Sequence, residues 1–318
     1  MPVQSAALEF VVETLLPIYL IAALGYVLRR RGVLGVVFMR DSSRLVFNFA
    51  APATLFISLA SSTQSNAIAP YFLMVCLLLL MGLTLLGCLV APLLVHDRDE
   101  RGVFIQGATR GNLLVSGLAF THSIYGMEGL ALASLPLGIY IIFNNVFSVA
   151  ILKYYSGSPV ETRQHYWRDI LANPVIIAVL LGALAGALQV PIPLGAINTG
   201  SLLAQLTVPL ILLNVGASLD FQLLRSPQIT GWLASIYKCL VMPTGGVALA
   251  YAAGIQGMEL GIIFLLLSSP TSTISVVFTQ MFGGKVGLAA NIVLISGLLS
   301  VVTVVGGLAV LQTTELIQ

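Results

Sequence analysis

Charge is what this sequence has least of. Its 318 residues include 14 basic and 12 acidic side chains, 8% in all, about a third of the share in an ordinary soluble protein. So little charge excludes a soluble enzyme and a nucleic-acid-binding protein. Cysteine is also scarce. Cys76, Cys88 and Cys239 fall inside apolar runs, are odd in number, and have neither CxxC spacing nor His neighbours. They are expected to be buried free thiols rather than a disulfide framework or a metal site, and no cofactor is expected. His96, His122 and His165 are scattered in or near loops, and no HExxH or nucleophile–base pair lies within an apolar run, so the expectation is that the chain is not an enzyme. Met1 to Leu8 has no basic n-region, and the first apolar run carries Glu9 and Glu13 with no small-residue cleavage pattern. A removable signal peptide is therefore not expected.

What the chain has instead is apolar length. Apolar residues make up 58% of it and the mean hydropathy is +1.01. Stretches long enough to cross a bilayer as helix recur, so the fold class is an all-α integral membrane protein. Spans are predicted at 10–28, 44–61, 71–95, 102–124, 129–152, 170–189, 198–219, 229–254, 259–281 and 286–311. Basic residues follow the first span (Arg29, Arg30, Arg31, Arg40, Arg44), the third (Arg98, Arg101), the fifth (Lys153, Arg163, Arg168), the seventh (Arg225) and the ninth (Lys285). The even intervals carry none. By the positive-inside rule the odd loops are cytoplasmic and both termini lie outside, in a multi-pass protein of the cytoplasmic (inner) membrane.

The polar interval around 154–169 divides the spans five and five. Across it the sequence repeats itself. PIYLIAALG at Pro17 aligns with PVIIAVLLG at Pro174, and PATLFISLAS at Pro52 with PLILLNVGAS at Pro209, both at a separation of 157. At a separation of 158, FTHSIYGMEGLA from Phe120 matches FTQMFGGKVGLA from Phe278 at six of twelve positions. Composition alone would give about one match. Five is odd, so the second copy enters from the opposite side. Residues 1–153 and 170–318 are expected to be inverted five-helix repeats joined by a cytoplasmic linker, 154–169. Such repeats are a common construction of secondary transporters, with substrate sites near the midplane at broken helices.

Two helices carry breaking residues at midspan. In the ninth, Ser268-Ser269-Pro270-Thr271-Ser272-Thr273 surrounds a proline about 16 Å from the membrane boundary. The alternative is a kinked helix whose hydroxyls bond their own carbonyls. At the 158-residue separation Pro270 corresponds to Asn112, inside Gly107-Ala108-Thr109-Arg110-Gly111-Asn112 of the fourth span. Two interrupted helices meeting centrally would present N-termini suited to an anion. Arg110 stands beside the break, an expensive place for a charge unless it has a partner or substrate; snorkelling is the other reading. Lys238 lies about 15 Å into the eighth span, too deep to snorkel comfortably. Neither has an acid deep in any span, which suggests a positive cavity awaiting an anion. Alternatively, Lys238 is uncharged or bonds carbonyls at a break such as Pro52 or Pro209. Asn214 and the Asn144-Asn145 pair read as packing amides, and Pro52 and Pro209 as shared kinks.

The stretches ANPVIIAVLLG, VPLILLNVGASL and GATRGNLLVSGLAF, with ten spans and breaks in the fourth and ninth, resemble the auxin efflux carrier family, the plant PIN carriers and their bacterial relatives. The resemblance covers the whole chain. It implies the crossover fold of bile acid symporters and sodium/proton antiporters, with helices 1, 2, 6 and 7 as scaffold and helices 3–5 and 8–10 as transport domain. It implies movement of small organic anions, auxin-like or dicarboxylate, by an elevator-like mechanism. The expected substrate-binding residues are then Arg110, Gly111, Asn112, Ser269, Pro270 and Thr271, with Lys238 for charge compensation. The expected partners are the anion, the lipid bilayer and a second copy of the chain through the scaffold helices. Plant members have proline at both crossover points, whereas the fourth span here offers Gly111-Asn112, and their large hydrophilic loop shrinks to Tyr154–Asp169. With no deep acid to help ligate a hard cation, sodium coupling is disfavoured. A channel or a non-transporting receptor on the same fold is the alternative function.

Overall fold

The computed structural model describes residues 16–17, 20–60, 70–156, 174–217 and 228–317, and every regular element among them is helical. In chain order these are α1 (20–30), α2 (Val36–Ala60), α3 (Pro70–Leu94), α4 (Arg98–Thr109), α5 (Leu113–Ser156), α6 (Pro174–Ala187), α7 (Leu194–Ala217), α8 (Ile229–Ala252), α9 (Gly257–Ser268), α10 (Ile274–Phe282) and α11 (Val286–Thr313). Six of them, α2, α3, α5, α7, α8 and α11, are long and apolar enough to cross a membrane, and α6 and α9 are shorter apolar helices. The chain is thus an all-helical integral membrane protein. Most of the expected first span, 10–28, and of the linker, 154–169, lies outside the described residues.

Two boundaries differ from the sequence expectation. α2 begins at Val36, not near residue 44, because hydropathy marks where the membrane starts and not where the helix starts. Its first turns are amphipathic, with Arg40, Asp41 and Arg44 exposed and Ser42 buried, and Asn214 Nδ2 donates to Ser42 Oγ at 3.0 Å and to Ser43 Oγ at 3.3 Å. The fourth and fifth spans have no loop between them. They meet at a kink instead, at Gly126, whose φ of 59° and ψ of −149° are not helical and are a conformation only glycine takes readily, so α5 is two helices joined where the sequence placed the boundary between these spans. The ninth span is two helices, α9 and α10, parted at Pro270 as the sequence led one to expect.

Two of the intrahelical prolines leave the same mark. Pro52 and Pro243 lack the N–H that would bond the carbonyls of Asn48 and Cys239, and their rings clash with those carbonyls. Each is preceded by a single π-helical turn, Val46–Ala50 and Tyr237–Val241, which widens the helix where the proline would otherwise collide.

The chain forms two compact units. One holds the described residues of Met1–Leu73, Leu114–Gly138 and His165–Leu219. In it α1 and α7 approach so closely that a methyl group at Gly216 would collide with the Ala22 carbonyl. Thr54 and Thr207 share a hydrogen bond of 3.0 Å between α2 and α7. The other unit holds those of Met74–Leu113, Ile139–Gln164 and Asp220–Gln318. There the Tyr140 and Tyr237 hydroxyls donate to the Cys76 and Leu83 carbonyls of α3, each at 2.6 Å, satisfying polar groups that no water reaches.

Candidate functional site

The second unit contains two places where helix gives way to extended chain. α4 starts under good control: the Asp97 side chain accepts from Asp99 N–H at 2.9 Å, and Asp99 and Glu100 suit the positive end of the helix. It ends after Thr109. Arg110 N–H makes the last bond, to Gln106 O at 2.9 Å, and the chain then extends with Arg110 at φ −84°, ψ 99°. α9 ends at Ser268 because Pro270 offers no donor and disfavours helical geometry at the residue before it; Ser269 sits at φ −56°, ψ 129°. The alternative of one kinked helix through this stretch is therefore not what forms.

The two extended tips pair. Asn112 N–H donates to Pro270 O at 2.7 Å and Ser272 N–H donates to Arg110 O at 3.2 Å, which sets Gly111 against Thr271 in an antiparallel bridge. Non-helical backbone at membrane depth has to be satisfied by protein, and here each break satisfies the other. Thr271 adds two ties: its N–H donates to Ser296 Oγ of α11 at 3.0 Å and its hydroxyl to Gly107 O at 2.7 Å. Helix resumes directly beyond, at Leu113 and at Ile274, so two positive helix ends open beside the pairing.

Lys238 reaches this place from α8. Its widened turn, the one upstream of Pro243, is buried at Tyr237, Lys238 and Cys239. Lys238 itself is 1% exposed; Nζ donates to Leu267 O in the last turn of α9 at 2.7 Å and lies 3.8 Å from Met242 Sδ. The carbonyl it bonds is therefore at the Pro270 break, not at Pro52 or Pro209. A methyl group at Gly111 would stand 3.4 Å from Nζ, so this nitrogen faces the pairing itself. None of the ion pairs among the described residues includes Lys238.

Arg110 turns the other way, into protein. Nη1 donates to Asn144 O at 3.1 Å and Ser148 Oγ at 2.9 Å, Nη2 to Asn145 Oδ1 at 2.7 Å, and the guanidinium lies 4.4 Å from the Phe278 ring centre. It ties the α4 tip to α5 and α10 with a fork that lysine could not reproduce. Snorkelling does not describe it.

The residues singled out from sequence thus gather at one locus, in different states. Pro270 contributes its carbonyl, and Ser269 spends its hydroxyl on Leu265 O at 3.1 Å. The Asn112 side chain is 8% exposed and makes no hydrogen bond to the described residues. Residues that sequence reasoning missed are Ser296, Ser148 and Phe278, while Ser268, part of the hydroxyl run read from sequence, has a buried hydroxyl with no hydrogen-bond partner among the described residues. Asn144 and Ser148, four apart on one helical face, were the available signal for Arg110. No group of three His, Cys, Asp or Glu comes together among the described residues.

Known proteins match this chain along most of its length. A family model described as "Membrane transport protein" matches residues 10–164 and 156–306. An uncharacterized transporter of Methanothermobacter thermautotrophicus is 27% identical over 296 residues, covering 92% of this chain and 95% of its own. One from Methanocaldococcus jannaschii is 23% identical over 300 residues, covering 92% and 96%. A putative malonate transporter of Rhizobium meliloti is 28% identical over 231 residues, covering 68% of this chain and 72% of its own.

Proposed function

The chain belongs to the membrane transport protein family, that of the auxin efflux carriers, and from that premise we propose that this transporter carries small organic anions across the cytoplasmic membrane by alternating access. In this reading there are ten spans, built as inverted repeats with both termini outside, and the fourth and ninth cross at Arg110-Gly111-Asn112 and Ser269-Pro270-Thr271. The site rides on the helices of the second unit in an elevator-like movement, the first unit serves as scaffold and dimer surface, and sodium has no part.

The observation that carries the reading is an antiparallel backbone pairing that Lys238 faces, with no ion pair to Lys238 and no hydrogen bond to the Asn112 side-chain amide among the described residues. A carboxylate placed there would accept from the amide, the helix N-termini and the ammonium at once. Gly111, opposite Thr271, leaves the backbone open to approach. The relative named for malonate supports a carboxylate as the class of substrate. Arg110 and Thr271 then hold the two tips in register, and Lys238 balances the charge that a coupling cation would otherwise bring.

A thermal-stability screen of the purified protein against malonate and a series of mono- and dicarboxylates tests this. A bound anion should raise the melting temperature with concentration, by an amount equivalent to about 2.7 kcal/mol at a hundredfold excess over Kd. A series in which no carboxylate shifts the transition, in the presence or absence of sodium, would remove the anion reading.

A further inference from the structure

The chain has three lysines. Lys153 lies in the last turn of α5 and Lys285 at the start of α11, while Lys238 alone is buried, at 1% exposure. An ammonium withdrawn from water is costly unless a counter-charge and hydrogen bonds compensate it. Its two contacts, the Leu267 carbonyl at 2.7 Å and the Met242 thioether at 3.8 Å, carry no charge. A neutral amine keeps two N–H groups and the same carbonyl bond, so both protonation states fit this geometry without rearrangement.

The titratable and charged groups on the surrounding elements leave that balance open. On the same turn, the Tyr237 hydroxyl is held by Leu83 O and the Cys239 thiol by Ser296 O. α9 has only Glu259, in its first turn and eight residues before Leu267, about 12 Å along the axis. α4 has Arg98, Asp99, Glu100 and Arg101 in its first turn and Arg110 just past its last. α3 offers Cys76 and Cys88, and α11 offers none. The charge nearest in sequence to Gly111 is therefore the permanent cation Arg110, whose guanidinium turns away into α5 and α10. Packing does not require an amine here either: at the 158-residue separation of the halves, Lys238 corresponds to Leu80, buried at 2% exposure.

We propose that Lys238 is the proton-binding group of the transport cycle, taking up one proton together with the anion and releasing both on the opposite face, so that the protein is a proton–anion symporter. This rests on the anion-transport reading of the same site. When a carboxylate settles against Gly111 and Asn112, the Nζ lone pair takes a proton from the water that the open site faces, and the ammonium pairs with the carboxylate. When the site opens to the other side the anion leaves and the ammonium returns its proton to water there; only an N–H bond forms and breaks. The linkage is reciprocal, so each proton-concentration step that fills the amine raises anion affinity by the same factor as the anion raises proton affinity.

The test uses the full chain in sodium-free liposomes, with labelled malonate and the membrane potential clamped at zero. With one proton per anion, a gradient of one pH unit, acidic outside, should accumulate malonate about tenfold, and a reversed gradient should expel it. Lys238→Arg, charged at every pH, should give less than twofold accumulation under the same gradient, at whatever rate it exchanges malonate. Wild-type exchange that ignores the gradient, or gradient-driven accumulation that survives in Lys238→Arg, overturns the proton site while leaving anion transport standing. If no malonate crosses under any gradient, and no other carboxylate of the series does, the anion reading falls and the proton site with it.

Discussion

Arg110 and Lys238, the two cations expected from sequence inside the membrane, do different work. Arg110 is a strut. Replacing it by Gln removes the donors to Ser148 Oγ, Asn144 O and Asn145 Oδ1 and the contact with Phe278. With two buried acceptors left short at about 1–3 kcal/mol each, Arg110→Gln should lower stability by about 2–6 kcal/mol, read as a fall in melting temperature. An unchanged melting temperature would mean the fork holds nothing. Asn112→Ala removes an amide that bonds no described residue, so its melting temperature should stay within about 0.5 kcal/mol of wild type while malonate stabilisation is lost. The positions of these residues were legible because each breaks the pattern of its span: a charge in an apolar run, or an amide beside glycine. Their partners were not, since Asn144 and Ser148 lie more than thirty residues from Arg110 in sequence and read there as ordinary packing polar groups.

Among the elements, the breaks at Gly111-Asn112 and Pro270 could be read from the sequence because proline and glycine act on the local backbone. How tightly the fourth and fifth spans join at Gly126 could not, because a short polar stretch, Tyr125-Gly126-Met127-Glu128, fits a loop as well as a one-residue kink. Nor could the widened turns before Pro52 and Pro243, whose form depends on what each proline ring meets. One association was invisible because it joins three helix starts. Lys285, at the start of α11, pairs with Asp97 at 2.5 Å and Glu100 at 2.7 Å, and Thr230 of α8 donates to Glu100 at 2.7 Å. Lys285, then the Asp99 N–H, holds Asp97 below the usual carboxylate range; Lys285, then Thr230, does the same for Glu100; and the two carboxylates raise Lys285. Lowered acids stabilise the folded state above their unfolded values, and this support fades as pH falls through the folded ones. The raised lysine contributes below its ordinary value and loses that contribution only as pH climbs through the folded one. The melting temperature of Lys285→Met should therefore fall short of wild type between about pH 5 and pH 10, with the gap closing toward about pH 3. A gap that stays constant down to the acid limit would show that these pairs contribute nothing. Lys285 and Asp97 are exposed and Glu100 is half-buried, so the effect should also shrink in high salt.

At the scale of the whole molecule, hydropathy gave the class, and the alternation of basic loops gave an orientation that cysteine labelling can check. In a cysteine-free background, Asn198→Cys should react with a membrane-impermeant thiol reagent from outside intact cells, and His96→Cys only after the cytoplasmic face is opened. Labelling of His96→Cys in intact cells would reverse the orientation. The way helices gather into two units was less legible, because Leu114–Gly138 shares a unit with α2, α6 and α7 although its sequence continues the fourth span. Such grouping follows from close approach at residues such as Gly25, Gly182 and Gly216, which hydropathy does not register. The central claim, that the paired breaks form the anion site of a sodium-independent transporter, is tested most directly by uptake of labelled malonate into liposomes carrying wild type or Asn112→Ala. The account predicts wild-type uptake that is the same in sodium and in choline and falls at least tenfold in Asn112→Ala at equal reconstituted protein. Full uptake by Asn112→Ala, or wild-type uptake that requires sodium, would contradict it.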